Sequence, residues 1–85
     1  MNVKELKEII LNLPDEMEVI MQKDAEGNGY SPLRGADPDC VYIPETTWYG
    51  EAYPTEWTAD DAGMSKKEWE KILSKPRVLV LHPIN

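Results

Sequence analysis

The strongest strand signal in the sequence is RVLVLH, residues 77–82. In an extended chain its valines point to one side and its leucines to the other, so both faces are apolar. Such a run is typical of a central strand of a sheet. Residues 18–22 (EVIMQ) show the same two-sided apolar pattern and predict a second strand. Strands of this kind are covered on both faces, or have one helix-covered face and one face that meets a partner.

Two helices are predicted outside these strands. The first has Asn2 as its cap, Glu5 at the capping-box position and Pro14 as its end. Its apolar side chains recur at helical spacing and form one face: Val3, Leu6, Ile9, Ile10 and Leu13. The second helix begins at the capping box SKKE, residues 65–68, and is stopped by Pro76.

The remaining predicted elements are short. Residues 40–43 predict a strand, and residues 46–49 with 51–53 predict a small hairpin around Gly50. Residues 54–63 are typical of an acidic loop. The order helix, strand, short strands, helix, strand predicts an α+β fold. We expect all 85 residues to form one domain, a sheet of about three to five strands with two helices packed on it.

Charge and composition exclude several classes of protein. A net charge of −7 argues against a nucleic-acid-binding groove and against an anionic membrane surface. No segment approaches the roughly 20 apolar residues of a membrane span. Glu5 and Glu8 interrupt any apolar run near residue 1, so no signal peptide is predicted. Cys40 is the only cysteine, which excludes an intramolecular disulfide and favours a cytoplasmic location.

Acidic side chains concentrate in the middle of the chain, among aromatic residues. Residues 14–63 hold twelve acids and two bases, a net charge of −10, whereas residues 1–13 sum to zero and residues 64–85 to +3. Aromatic residues interleaved with acids are typical of contact hot spots. We therefore predict a protein-binding surface formed by Trp48, Tyr49, Glu51, Tyr53, Glu56 and Trp57. The alternative is that these aromatic rings close a small core in a chain without phenylalanine. Trp69 is explained by a hydrophobic staple with Met64.

No arrangement of residues in the sequence predicts an enzyme. Cys40 and His82 could act as nucleophile and base, but each lies in a predicted strand, where a lone cysteine is usually a small core residue. Several acids could act as general acid and base, although solvated loop carboxylates are the commoner outcome: Asp24, Glu26, Asp37, Asp39, Asp60 and Asp61. We expect no cofactor, because the glycines fit neither nucleotide-binding pattern.

The loop DAEGNG, residues 24–29, resembles the start of a calcium-binding loop. Asp24, Glu26 and Asn28 would supply oxygen donors at alternate positions, with glycine at the sixth. Gly35 stands at the twelfth position, where the bidentate glutamate of such a loop belongs. The alternative interpretation is a polar hairpin turn, and no metal ligand is predicted.

Several motifs together resemble a group of small proteins of tailed bacteriophages and prophages that has no assigned activity. The motifs cover most of the chain: VKEL (3–6), LPD (13–15), EVI (18–20), GNGYSPL (27–33), YIPETTWYGE (42–51) and VLVLHP (78–83). The resemblance carries over no catalytic residue. It implies a phage or prophage product that works in the cytoplasm of a bacterial host.

The sequence thus predicts a small acidic accessory protein that binds another protein, of the host or the phage, through residues 45–61. With the phage resemblance, the expected effect is inhibition of a host or defence protein. Two alternatives stay open. One is a module that binds a metal or small ligand at residues 24–29. The other is a structural homo-oligomer, such as a homodimer, formed by apolar strand faces that the helices leave uncovered. We expect no direct contact with nucleic acid or membrane.

Overall fold

Four strands and three helices follow one another along the chain. The computed structural model describes all 85 residues. In chain order the elements are α1 (Val3–Ile10), β1 (Ile20–Gln22), β2 (Tyr30–Pro44), β3 (Gly50–Pro54), α2 (Ala59–Ala62), α3 (Lys66–Leu73) and β4 (Val78–Pro83). All strand pairs are antiparallel and belong to one four-stranded sheet. The predicted α+β class and strand number are confirmed.

β2 is the strand on which the sheet is built, because every other strand pairs with it. β1 pairs with residues 30–32, β4 with residues 33–40 and β3 with residues 40–44. Cys40 has a partner in both β3 and β4, so these two strands lie on opposite edges of β2 at that point. β4 pairs with β2 alone and therefore lies at an edge of the sheet. The prediction that residues 77–82 form a central strand is wrong.

At 15 residues, β2 is much longer than the strand predicted at residues 40–43. Proline and glycine inside the strand hide its pattern in the sequence. The ladder between β2 and β4 shifts register on either side of residues 35–37. Pro38 falls in the second shift, where Asp39 N donates a hydrogen bond to Asp37 Oδ1 at 2.8 Å. Such bulges accommodate residues that cannot join the ladder without ending the strand.

The hairpin around Gly50 is arranged differently from the predicted one. β2 and β3 are its strands, residues 45–49 are its loop, and Gly50 is the first residue of β3, opposite Pro44. The predicted strand at residues 46–49 is therefore wrong, whereas the one at residues 51–53 is confirmed within β3.

The predicted acidic loop at residues 54–63 contains the single helical turn α2. Thr58 Oγ1 accepts a hydrogen bond from Asp61 N at 3.2 Å, and Thr58 N donates to Asp61 Oδ2 at 2.9 Å. This reciprocal pair is a capping box. Gly63 ends the turn with φ 68°, a region that glycine adopts at low cost. Local capping thus orders a segment whose composition favours a loop.

Both predicted helix starts are confirmed. At α1, Glu5 N donates to Asn2 Oδ1 at 2.9 Å. At α3, Glu68 N donates to Ser65 Oγ at 3.2 Å, and this hydroxyl donates to the Glu68 carboxylate at 3.1 Å. α3 ends at Leu73, before Pro76. These caps satisfy backbone donors that the first helical turn leaves free.

The core lies where α3 meets the β2–β3 hairpin. Trp69 of α3 is buried, and its indole Nε1 donates a hydrogen bond to Trp57 O at 3.1 Å. Tyr53 of β3 stands edge-on to both rings, with centroid distances of 6.0 Å to Trp69 and 6.4 Å to Trp57. Val41, opposite Tyr53 in the ladder, is fully buried. Tyr53 therefore takes the core role that was the alternative to partner binding, whereas Trp57 lies at the exposed edge of this cluster.

A second buried point joins the start of β2 to the residues after β4. The hydroxyl of Ser31 accepts hydrogen bonds from Ile84 N at 3.0 Å and Asn85 N at 3.2 Å. It donates to Pro32 O at 2.9 Å, so this buried polar group has its partners.

Gly50→Ala should destabilise the protein, whereas Gly35→Ala should not. A Cβ at Gly50 would collide with the Ile43 carbonyl oxygen and stand 2.7 Å from Pro44 Cα, while one at Gly35 would meet nothing within 4 Å. Overpacking costs about 1–3 kcal/mol. Gly→Ala at an unstrained position stabilises a protein by about 0.4–1 kcal/mol. Urea unfolding followed by tryptophan fluorescence measures both changes. Equal unfolding midpoints for the two variants would contradict the close packing at Gly50.

Candidate functional site

The most exposed aromatic side chain of the protein lies in the loop of the β2–β3 hairpin. We call residues 45–49 the hairpin tip. Within it, Trp48 is 88% exposed and Tyr49 is 57% exposed. A solvent-exposed indole leaves a large apolar area unburied. The hairpin tip therefore offers two aromatic residues, adjacent in sequence, that are each more than half exposed.

Hydrogen bonds inside the hairpin tip hold its backbone. Thr46 Oγ1 accepts from Trp48 N at 3.1 Å and from Tyr49 N at 3.2 Å. Tyr49 O accepts from Glu45 N at 3.0 Å and from Thr46 N at 3.1 Å. A threonine hydroxyl that bonds the following backbone is a turn-forming device. The loop thus satisfies much of its own backbone and presents the two rings from a defined turn.

Tyr42 is a third aromatic residue at this end, and it was not among the residues predicted to bind a partner. It lies in β2 and is exposed, whereas its neighbour Val41 is buried. Its ring atom Cζ lies 2.9 Å from the place that a Cβ on Gly50 would take, so the ring reaches the base of the hairpin tip. Strand alternation in residues 40–43 was the available signal, because it puts Tyr42 on the face opposite to Val41.

The charge around the hairpin tip has one sign. Residues 35–65 carry seven acidic side chains and no lysine or arginine. Glu45 and Glu51 lie just before and after the exposed rings, and both are exposed. Charges of one sign add to a field that attracts cationic surfaces and repels anionic ones. The site thus combines apolar rings with a negative surround.

The structure divides the six residues predicted to bind a partner into two groups. Trp48, Tyr49 and Glu51 lie at or beside the hairpin tip. The other three lie at the far end of β3 or after it: Tyr53, Glu56 and Trp57. Tyr49 and Tyr53 are four residues apart, about 13 Å at the rise of a strand, and Glu51 lies between them. Trp57 keeps 39% of its surface exposed, but its carbonyl and ring are engaged with the core.

The loop between β1 and β2 brings the three predicted cation donors together around an amide. Asn28 Nδ2 donates to Asp24 Oδ2 at 3.2 Å and to Glu26 Oε2 at 3.3 Å. Asp24 Oδ1 accepts from the backbone nitrogens of Asn28 and Glu26. These bonds, that from the Asn28 backbone most of all, lower the pKa of Asp24. No group of three or more His, Cys, Asp or Glu side chains is placed to hold a metal ion. A polar hairpin turn accounts for this geometry.

Cys40 and His82 are too far apart to act together. Cys40 lies opposite Val78, and His82 is four residues further along β4, about 13 Å at the rise of a strand. Burial of Cys40 raises the pKa of its thiol, and the nearby carboxylate of Asp37 raises it further. The cysteine is therefore a protonated core residue at neutral pH.

Several of the carboxylates considered as acid–base pairs are engaged in local turns. Asp37 accepts a hydrogen bond from Asp39 N, and Asp61 belongs to the capping box of α2. Asp37, Asp39 and Glu56 line a recess of about 140 Å³ beside the buried Cys40. These three carboxylates raise the pKa of the Cys40 thiol, so they do not activate it as a nucleophile.

Comparison of the chain with protein-family models, with curated proteins and with solved structures gives no match. None of the helices has the length and apolar character needed to cross a bilayer.

Addition of Ca²⁺ or Mg²⁺ should leave the melting temperature unchanged. The Asn28 amide already lies between the Asp24 and Glu26 carboxylates, and glycine replaces the twelfth ligand. A cation that binds only the folded state would stabilise it by about 2.7 kcal/mol at a concentration of 100 Kd. Thermal unfolding with each metal and with chelator measures the effect. A stabilisation that is lost in Asn28→Ala or Asp24→Asn would restore the cation-binding alternative.

Cys40 should react slowly with an aromatic disulfide reagent in the folded protein at pH 7, and rapidly in urea. Burial limits access, and the raised pKa keeps the thiolate fraction small. The pKa is higher in the folded state, so the unfolded state loses its proton first as pH rises. Stability should therefore decline as pH rises above about 9.0, the ordinary value for this thiol. Cys40→Ser should abolish the reaction and this part of the pH dependence. Rapid reaction of the folded protein would contradict the assignment.

Proposed function

We propose that this chain is a non-enzymatic accessory protein that binds another protein through the hairpin tip. The observation that carries the proposal is the 88% exposure of Trp48, on a turn closed by its own hydrogen bonds. Aromatic anchors of this kind supply much of the energy in protein interfaces. Tyr49, next to Trp48 in sequence, and Tyr42, whose ring reaches the base of the hairpin tip, add further exposed aromatic area.

The chemistry of the hairpin tip indicates what the partner surface offers. Trp48 needs an apolar pocket, whose surrounding contacts exclude water from the buried indole. Glu45, Glu51 and the rest of the acidic segment favour lysine and arginine around that pocket. The partner is therefore a protein with an apolar pocket that is bordered by basic residues.

The defined shape of the hairpin tip supports binding in a second way. Binding costs free energy for every loop and side chain that becomes ordered in the complex. The hydrogen bonds of Thr46 and Tyr49 already order this turn before a partner arrives. A partner then has to immobilise mainly the two rings, which have few rotatable bonds.

The phage resemblance suggests where the partner is to be sought. It makes a bacterial host enzyme or defence component the first class to test. Occupation of a pocket on such a protein by Trp48 would have an inhibitory effect.

Replacement of both rings, Trp48→Ala with Tyr49→Ala, should abolish partner binding while the fold is retained. Both side chains are exposed, so their removal costs little stability. The partner is first captured from bacterial lysate with the tagged chain, identified by mass spectrometry and purified. Its dissociation constant for the double variant should rise by about thirtyfold or more, the loss expected for hot-spot residues.

Tyr30→Ala is the matched control. Tyr30 is 56% exposed, like Tyr49, but it lies at the opposite end of β2. This variant should keep the affinity of the unmodified chain. Raised salt should slow association, because exposed acids steer the encounter. A partner that binds the double variant and the Tyr30 variant equally well would overturn the proposal.

A further inference from the structure

A second apolar surface of the molecule lies along α1 and β4. We call it the neutral apolar surface, and it comprises Val3, Leu6, Ile9, Ile10 and Leu13 with Leu79 and Leu81. All of these except Leu6 are exposed, Ile10 at 51%. The start of α1, β4 and the neighbouring Arg77 border a cleft of about 450 Å³, and six of its eight lining residues are hydrophobic.

α1 requires a partner for its apolar face. It has eight residues, and isolated helices shorter than about 12–15 residues are marginal in water. Its apolar side chains recur on one face, yet none of its residues is buried. Helices in proteins gain most of their stability by packing such a face. The chain by itself supplies little of that packing.

The total exposed area indicates how much surface is available for a partner. The chain exposes 7123 Å², whereas a compact monomer of 9.7 kDa exposes about 5,100 Å². The excess of about 2,000 Å² belongs to the whole elongated chain, and it leaves room for the roughly 800 Å² that each partner contributes to a standard interface. The radius of gyration is likewise 15.4 Å, against about 12 Å for a compact chain of this length.

Charge identifies a second copy of the chain as the occupant. Residues 1–13 sum to zero charge, and residues 78–85 contain no Asp, Glu, Lys or Arg. The net charge of −7 therefore lies outside the neutral apolar surface. A basic protein would be drawn to the acidic residues instead, whereas a second copy brings an apolar face of equally low net charge. Identical faces can meet across a two-fold axis, the commonest symmetry of soluble oligomers.

We propose that two copies of this chain form a symmetric dimer in which the neutral apolar surface of one covers that of the other. Each α1 then packs its apolar face on the partner copy and closes the cleft beside β4. The interface does not use the hairpin tip. Ala36, which pairs with Leu81, is nine residues from Glu45, up to about 30 Å along the sheet. The dimer proposal can therefore be tested independently of the proposal that Trp48 binds a partner.

The test is the molar mass in solution, measured by light scattering and sedimentation over a range of concentrations. The unmodified chain should have twice the chain mass of 9.7 kDa. Ile10→Lys places a charge in the interface and should raise the dimer dissociation constant by at least about a hundredfold. Glu8→Gln changes the charge by the same amount on the polar face of α1, so it should remain dimeric. A chain mass of 9.7 kDa for the unmodified protein at all concentrations would overturn the proposal. A dimer that persists in Ile10→Lys would overturn it too.

Hydrogen exchange on the unmodified chain tests the same interface without a variant that could fail to fold. The α1 amides should be protected at high concentration and lose that protection on dilution, because the helix depends on the partner copy. The amides of β2 in the sheet should show much less dependence on concentration. Protection of α1 that is independent of concentration, or absent throughout, would overturn the proposed interface.

Discussion

Backbone pairing along β2 is the interaction on which the rest of the structure depends. A strand of 15 residues spans about 50 Å when fully extended. The longest dimension of the molecule is 45 Å, so the protein is about as long as this one strand. Because β1, β3 and β4 pair with β2 and not with one another, its ladder holds all of them in place. A sheet of this length is too long for two eight-residue helices to cover. Elongation therefore leaves one end free as a hairpin tip and leaves apolar side chains of α1 and β4 in solvent.

The buried apolar residues of the fold are concentrated where α3 packs on the β2–β3 hairpin. Trp69, Tyr53 and Trp57 contact one another above Val41, and the indole of Trp69 reaches a backbone carbonyl across 12 residues of sequence. Elsewhere the chain relies on local devices: the caps of its helices, the Thr46 turn and the turn around Asp24. Such devices each contribute about 1 kcal/mol. They order the backbone without burying apolar area, so apolar burial has to come from the small core and from contacts outside the single chain.

Features that depend on local chemistry could be predicted from the sequence. The caps Asn2 and Ser65 and the continuous apolar runs of β1 and β4 act over a few residues, and all appear in the structure. The ends of β2 could not be predicted from local chemistry. Its Pro38 and its register shifts are tolerated only because neighbouring strands pair with β2 on either side of them. The hairpin register likewise decides that Tyr53 lies opposite the buried Val41 and reaches Trp69. A one-residue shift exchanges the faces of a strand, and composition carries no information about that register.

The two proposed surfaces differ in net charge, and they therefore suit different kinds of partner. An interface between copies buries identical groups, so it is favoured where net charge is absent, as along α1 and β4. The acidic hairpin tip would repel its own copy and attract a basic partner. Two-fold pairing through the neutral apolar surface would carry two hairpin tips, one on each copy. Against a partner that presents two suitably spaced pockets, the second tip binds at a high effective concentration and strengthens attachment without any new contact. With a partner that has one pocket, dimer formation stabilises the fold but does not strengthen binding. In that case α1 is packed against the second copy whether or not the hairpin tip is occupied.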